Sequence, residues 1–238
     1  MNTFNSFYFL HIQKTAGRLY VYNFLLPLKK ILKDSNIEYL DNRINSGDHS
    51  QWRDDLDNLT YITTLFRDPC KQVISLYVHG VTTDSNGQKI NSPISGITKK
   101  DFFLWFEKNK KTLRNYQSKN IISTTIKKEE SFYLTFSKMN SFTKEDVFNR
   151  INKISLILKP EDLSENNIDK IQKKILFDLN INHDNIKQNL YNREHYRSLE
   201  SEFIYNELTD KEKNYIYSIS SIDSEIYETK DIFYNLET

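Results

Sequence analysis

The segment FYFLHIQKTAGRLY, residues 7–20, constrains the fold of this chain more than any other. Residues 7–12 are apolar and aromatic and read as a short buried strand, which Gln13-Lys14-Thr15 and Gly17 end in a tight turn. From about Arg18, Leu19, Tyr22, Leu25 and Leu26 keep helical spacing, with Tyr20, Val21 and Phe24 beside them, and the helix runs to about Leu32 or Lys33. A strand, a turn with a lysine and a glycine, and a helix together suit an anion. Backbone N–H groups and the positive end of the helix dipole face it, and the lysine adds a point charge.

The order is not that of the loop of nucleotide-hydrolysing enzymes, G-x-x-x-x-G-K-[ST], because Lys14 and Thr15 precede the glycine. A second anchor lies further on. Residues 59–66, LTYITTLF, form the best strand by β-branched and aromatic content and run into Arg67-Asp68-Pro69. Asp68 suits an N-cap and Pro69 a first helical residue, so a helix is expected through Val73, Ile74, Leu76 and Tyr77 to about His79-Gly80. Ser75 falls two turns into it.

Further strands are expected at 37–40 and 154–158. Further helices are expected at 143–151 and 164–176, and another follows the Thr209/Glu212 capping box, with a last helical stretch around Ile226, Tyr227 and Phe233. Strands alternating with helices predict an α/β fold: a central parallel sheet flanked by helices in three layers, extra C-terminal helices, and ligands at the carboxyl ends of the strands. A length of 238 residues suits a single domain, 1–238, whose bulk comes from 15 Tyr and 15 Phe.

The formal net charge of +1 provides no global field for nucleic acid, so anion binding is expected to be local. Residues 99–128 carry nine Lys or Arg against Asp101 and Glu107, interleaved with Phe102, Phe103, Trp105 and Phe106; this reads as an amphipathic helix with solvated lysines. Within it, residues 113–119, LRNYQSK, read as a ligand loop. A single cysteine, Cys70, fits a reducing compartment. Without a leader or membrane-length apolar run, the chain is expected in the cytoplasm with no stable membrane insertion. Five histidines and one cysteine lack zinc-ligand spacing, and no metal is expected. His11, ending a buried strand, reads as structural. Taken alone, His49 reads as a solvated loop residue, and Trp52 as either core or a platform for a sugar ring.

FLHIQKTAG, then FRDP with a serine eight positions past the arginine, resembles the sulfotransferases that use 3′-phosphoadenosine 5′-phosphosulfate (PAPS), most of all their carbohydrate branch, which includes the heparan sulfate 2-O- and 6-O-sulfotransferases. The resemblance implies a P-loop-like fold in which Lys14, Thr15, Ala16 and Gly17 hold the 5′-phosphosulfate, with Arg18 and Leu19 where the family has Thr or Ser. It implies that Arg67 and Ser75 hold the 3′-phosphate. DHSQW resembles the HxxW segment of the 6-O enzymes, which implies that His49 is the catalytic base with Trp52 near the acceptor. NYQSK resembles an N-x-Q-x-R segment near the cofactor, which implies that Lys119 binds the cofactor, with Gln117 on the acceptor side. His79 is a rival base on the acceptor side. ISLILKPEDLSE and SIDSEIY resemble later parts of the family.

The expected activity is sulfuryl transfer from PAPS to a carbohydrate hydroxyl, with His49 as base and Lys14 stabilising the leaving adenosine 3′,5′-bisphosphate. The acceptor suggested is a glycan or glycan precursor in a bacterial-type cytoplasm. Two alternatives are a small-molecule kinase using ATP and Mg²⁺, with Asp68 as metal ligand, and a nucleotide-binding protein without turnover.

Overall fold

The computed structural model describes residues 4–40, 52, 56–82, 97–123, 142–182 and 199–234. Four parallel strands form one sheet: β1 (Ser6–Leu10), β2 (Glu38–Tyr39), β3 (Thr60–Leu65) and β4 (Leu156–Leu158), in the order β2-β1-β3-β4. Ser6 to Leu10 pairs with Thr60 to Thr64, and Thr63 to Leu65 with Leu156 to Leu158. Strands β1, β3 and β4 are buried throughout, as a parallel sheet covered on both faces requires.

The two-residue period of the strands divides the core. Phe7, Phe9, Tyr61, Leu65, Leu156 and Leu158 face one side. There they meet Tyr20, Leu25, Leu28 and Leu32 of the first helical run, and Ile168, Ile171 and Ile175 of a later helix, Glu165–Asp178. Tyr8, Leu10, Ile62 and Ile157 face the other side, against Ile121, Val147, Ile151 and Ile226. The result is three layers with the sheet in the middle.

Among the described residues the α-helices are α1 (Gly17–Tyr20), α2 (Leu26–Asp34), α3 (Pro69–Thr82), α4 (Lys99–Leu113), α5 (Tyr116–Ile122), α6 (Lys144–Ile151), α7 (Glu165–Asp178), α8 (Leu199–Glu207), α9 (Asp210–Ile219) and α10 (Ser221–Glu228). Between α1 and α2 the chain stays helical but widens to a π-helix, Val21–Leu25, in which Leu26 N–H donates to the Val21 carbonyl. Pro27 accounts for the widening. It lacks an N–H and its ring would strike the carbonyl four residues back, so the helix takes up the extra room. A separate apolar cluster joins α3, α4, α8 and α9 through Val73, Ile74, Tyr77, Phe102, Phe106, Ile204 and Ile216.

The caps read from the sequence form as expected: Asp68 Oδ1 accepts from Lys71 N–H at 2.9 Å, and Thr143/Asp146 and Thr209/Glu212 make reciprocal boxes. Two expectations are corrected. Residues 113–119 are not a loop: only Arg114 and Asn115 turn, and α5 then buries nearly every side chain it carries, including Gln117, Ser118, Lys119 and Asn120. The helix after Thr209 breaks at Ser220, which places Ile222 in α10. Among the described residues no helix is long and apolar enough to cross a membrane.

Candidate anion site at the carboxyl end of the sheet

The β1–α1 loop leaves the centre of the sheet at Leu10 and enters α1 at Gly17. Two of its residues, neither of them glycine, have left-handed backbones: Lys14 at φ 63° and Ala16 at φ 65°. Each such residue costs on the order of 1–3 kcal/mol unless its surroundings hold it. Here they do. Thr15 Oγ1 donates to the Ile12 carbonyl at 2.8 Å, Gln72 Nε2 to the Gln13 carbonyl at 2.8 Å, and Arg67 Nη1 to the Lys14 carbonyl at 3.1 Å. Tyr116 OH adds a bond to Gln13 Oε1 at 2.6 Å.

A trans peptide points its N–H opposite its C=O. Three successive carbonyls are tied to protein donors, so the N–H groups of Gln13, Lys14 and Thr15 face the opposite way from those donors. Successive N–H groups in a chain that alternates in hand suit an anion, and Lys14 carries one of these groups.

Gly17 is required by packing. A Cβ built on it would stand 1.9 Å from His11 Nε2 and 2.1 Å from His11 Cδ2. His11 is itself buried and stacked on Phe9, centroids 5.3 Å apart, in keeping with the structural part expected of it. The Thr15 side chain is fully buried, so what Thr15 can offer an anion is its backbone N–H. Leu19 packs half-buried against the first core cluster. Arg18 contributes backbone to α1.

Arg67 stands two residues past the end of β3. The bond from Phe66 N–H to the Leu158 carbonyl, 2.9 Å, is the last one toward β4. At Arg67 the Gln117 amide takes over: Gln117 Oε1 accepts from Arg67 N–H at 2.9 Å and Gln117 Nε2 donates to the Arg67 carbonyl at 2.7 Å. Gln117 is fully buried. The expectation that it faces an acceptor is corrected, because both ends of its amide are spent on the arginine main chain.

Lys119 is likewise displaced from its expected phosphate. Its ammonium donates to the carbonyls of Lys111 (3.0 Å) and Thr112 (3.1 Å), which need partners at the end of α4. Burial pushes its pKa down to about 8, against a pull upward from Asp223.

Asp223, which the sequence reading did not single out, is the centre of this buried polar group. Its carboxylate accepts from Gln117 N–H (2.9 Å), Ser118 N–H (2.8 Å) and the Ser118 hydroxyl, and so caps α5. In return Asn115, the N-cap residue of α5, accepts from Ile222 N–H of α10 at 3.0 Å. Burial pushes Asp223 up to about 6, opposed by these hydrogen bonds. The missed signal was Ser220-Ser221-Ile222-Asp223, which has capping-box spacing but whose carboxylate serves another helix.

Asp68, the metal ligand of the kinase alternative, has both oxygens engaged, by Lys71 N–H and by Tyr217 OH at 2.8 Å. Trp52 is a correction: it is 6% exposed within the second face of the core, and the Arg150 guanidinium lies 4.9 Å from its ring centroid. Its indole is occupied by packing and by a cation, which leaves no platform for a sugar. Ser75 is half-buried in α3, about 9 Å along the helix from Pro69, and His79 about 15 Å along it at the far end, away from the loop. His49 lies outside the described residues.

Comparison with family models, with characterised proteins and with solved structures finds no match to this chain.

Proposed function

We propose that the chain is a PAPS-dependent sulfotransferase with a P-loop-like fold that acts on a hydroxyl of a carbohydrate or glycan precursor. The observation that carries the reading is the bond from Arg67 Nη1 to the Lys14 carbonyl, which joins the two motifs of the resemblance, K-T-A-G and R-D-P, at neighbouring strand ends. The chemistry of the site fits the donor. A loop whose carbonyls are tied back turns N–H groups toward an anion, and Lys14 and Arg67 add two cations.

When bound, PAPS supplies an activated sulfuryl group. The loop N–H groups of Gln13 to Thr15 and the Lys14 ammonium hold negative charge at the 5′ end, and do so most strongly as that charge grows during transfer. Arg67, with Ser75 further along α3, holds the 3′-phosphate and so fixes the register of the nucleotide. By the resemblance, the His49 imidazole accepts the proton of the acceptor hydroxyl, help worth about 10²–10⁴-fold in rate.

The test is calorimetric titration with adenosine 3′,5′-bisphosphate, in parallel with ATP plus Mg²⁺, on the natural chain and on Arg67→Ala. The reading expects metal-independent bisphosphate binding that weakens a hundredfold or more in the variant. Preference for ATP with Mg²⁺, or an Arg67→Ala variant that binds the bisphosphate as well as the natural chain, refutes it.

A further inference from the structure

We propose that Gln117 and Asp223 are positioning residues of the anion site: α10 fixes α5, and α5 fixes the Arg67 main chain from which the anion-binding guanidinium projects. The inference rests on the function proposed above for the nature of the anion, and on the geometry alone for the clamp.

Past the bond from Phe66 N–H to the Leu158 carbonyl, the Arg67 peptide groups are met by the Gln117 side chain. Unsatisfied backbone groups at a strand end ordinarily turn to water and let the chain fray. Gln117 supplies both bonds a neighbouring strand would have made, at 2.9 and 2.7 Å, from a side chain wholly out of solvent. A buried amide with both ends matched has one orientation, so Arg67 has one too.

Gln117 can do this because its own backbone is held. Its N–H and that of Ser118 both donate to Asp223, and Asn115 returns a bond to α10. The same helix presents Tyr116 OH to Gln13 Oε1 inside the β1–α1 loop. One buried helix therefore sets both halves of the site, the arginine at the end of β3 and the loop after β1. Asp223, in α10, is its anchor.

The experiment uses Gln117→Met, which keeps volume and removes both bonds, with two probes: adenosine 3′,5′-bisphosphate, and AMP, which lacks the 3′-phosphate that Arg67 is proposed to hold. The ratio of bisphosphate to AMP affinity is expected to fall about tenfold, the loss of one well-placed charge-assisted bond, with AMP affinity unchanged. The Arg67 amide, followed by NMR hydrogen exchange, is expected to lose protection in the variant. Asp223→Asn, which keeps only one acceptor, is expected to move the same ratio in the same direction, and it replaces Gln117→Met if that variant does not fold. An unchanged ratio, or an equal fall for both probes as in general damage, overturns the inference. If the natural chain binds neither probe, the proposed function fails instead. The clamp is then decided by the Arg67 amide alone: unchanged protection overturns it and faster exchange upholds it.

Discussion

Replacing Gly17 by Ala is the sharpest test of how the β1–α1 loop is built. An added Cβ would stand 1.9 Å from His11 Nε2, so the ring must retreat by about 1.5 Å to restore an ordinary 3.4 Å contact. It has little room. His11 is 8% exposed and stacked on Phe9 with the rings 19° from parallel. Overpacking of this kind costs about 1–3 kcal/mol. Against it, alanine gains about 0.5–1 kcal/mol over glycine within a helix, since Gly17 opens α1. The expected outcome is a net loss of about 1–2 kcal/mol in urea unfolding. In a His11→Ala background the clash is gone, and the same substitution is expected to stabilise by about 0.5–1 kcal/mol. A Gly17→Ala variant at least as stable as the natural chain, or an equal loss in both backgrounds, would refute the argument that the imidazole is what demands glycine here.

Two further outcomes follow from the buried groups. Asp223 has a folded pKa pushed up to about 6 from 3.8, so its contribution to stability is fully present below about pH 4 and lost as pH rises through 6; Lys119 is pushed down to about 8 from 10.5, so its contribution is present above about 10.5 and lost as pH falls through 8. Relative to the natural chain, Lys119→Met is therefore expected to look most favourable near pH 7 and to lose ground toward pH 10.5, measured as unfolding free energy across that range; a flat difference sinks the assignment. Trp52→Ala is expected to cost about 3–5 kcal/mol of stability as a core truncation; a variant as stable as the natural chain but unable to bind acceptor would restore the sugar-platform reading.

What could be read in advance was local. Asp68-Pro69 and the Thr143 and Thr209 boxes announce helix starts within four residues, because an N-cap needs only a side chain and the N–H groups of the next turn. The buried strands were legible as apolar runs, and the strand-turn-helix of residues 7–20 as an anion-suited turn. Residues 113–119 misled for a physical reason. Asn115, Gln117, Ser118 and Lys119 look solvated, yet the first three have partners in distant parts of the chain and Lys119 has its partners at the end of α4, and so they can be buried.

The sequence by itself determined the alternation of strands and helices, and with it a parallel sheet whose β1 and β3 each run into a loop and a helix at one end. It also determined the residues that carry charge to those loops, Lys14 and Arg67. Only the tertiary structure decided which polar residues serve the site and which serve the scaffold. Gln117 meets Asp223 across 106 positions and Arg67 across 50, and Tyr116 meets Gln13 across 103. Hydrogen bonds between residues so far apart leave no periodicity or spacing in a sequence. They exist once the sheet and its helices have packed, which is when burial makes an unmet polar group costly enough to select one arrangement.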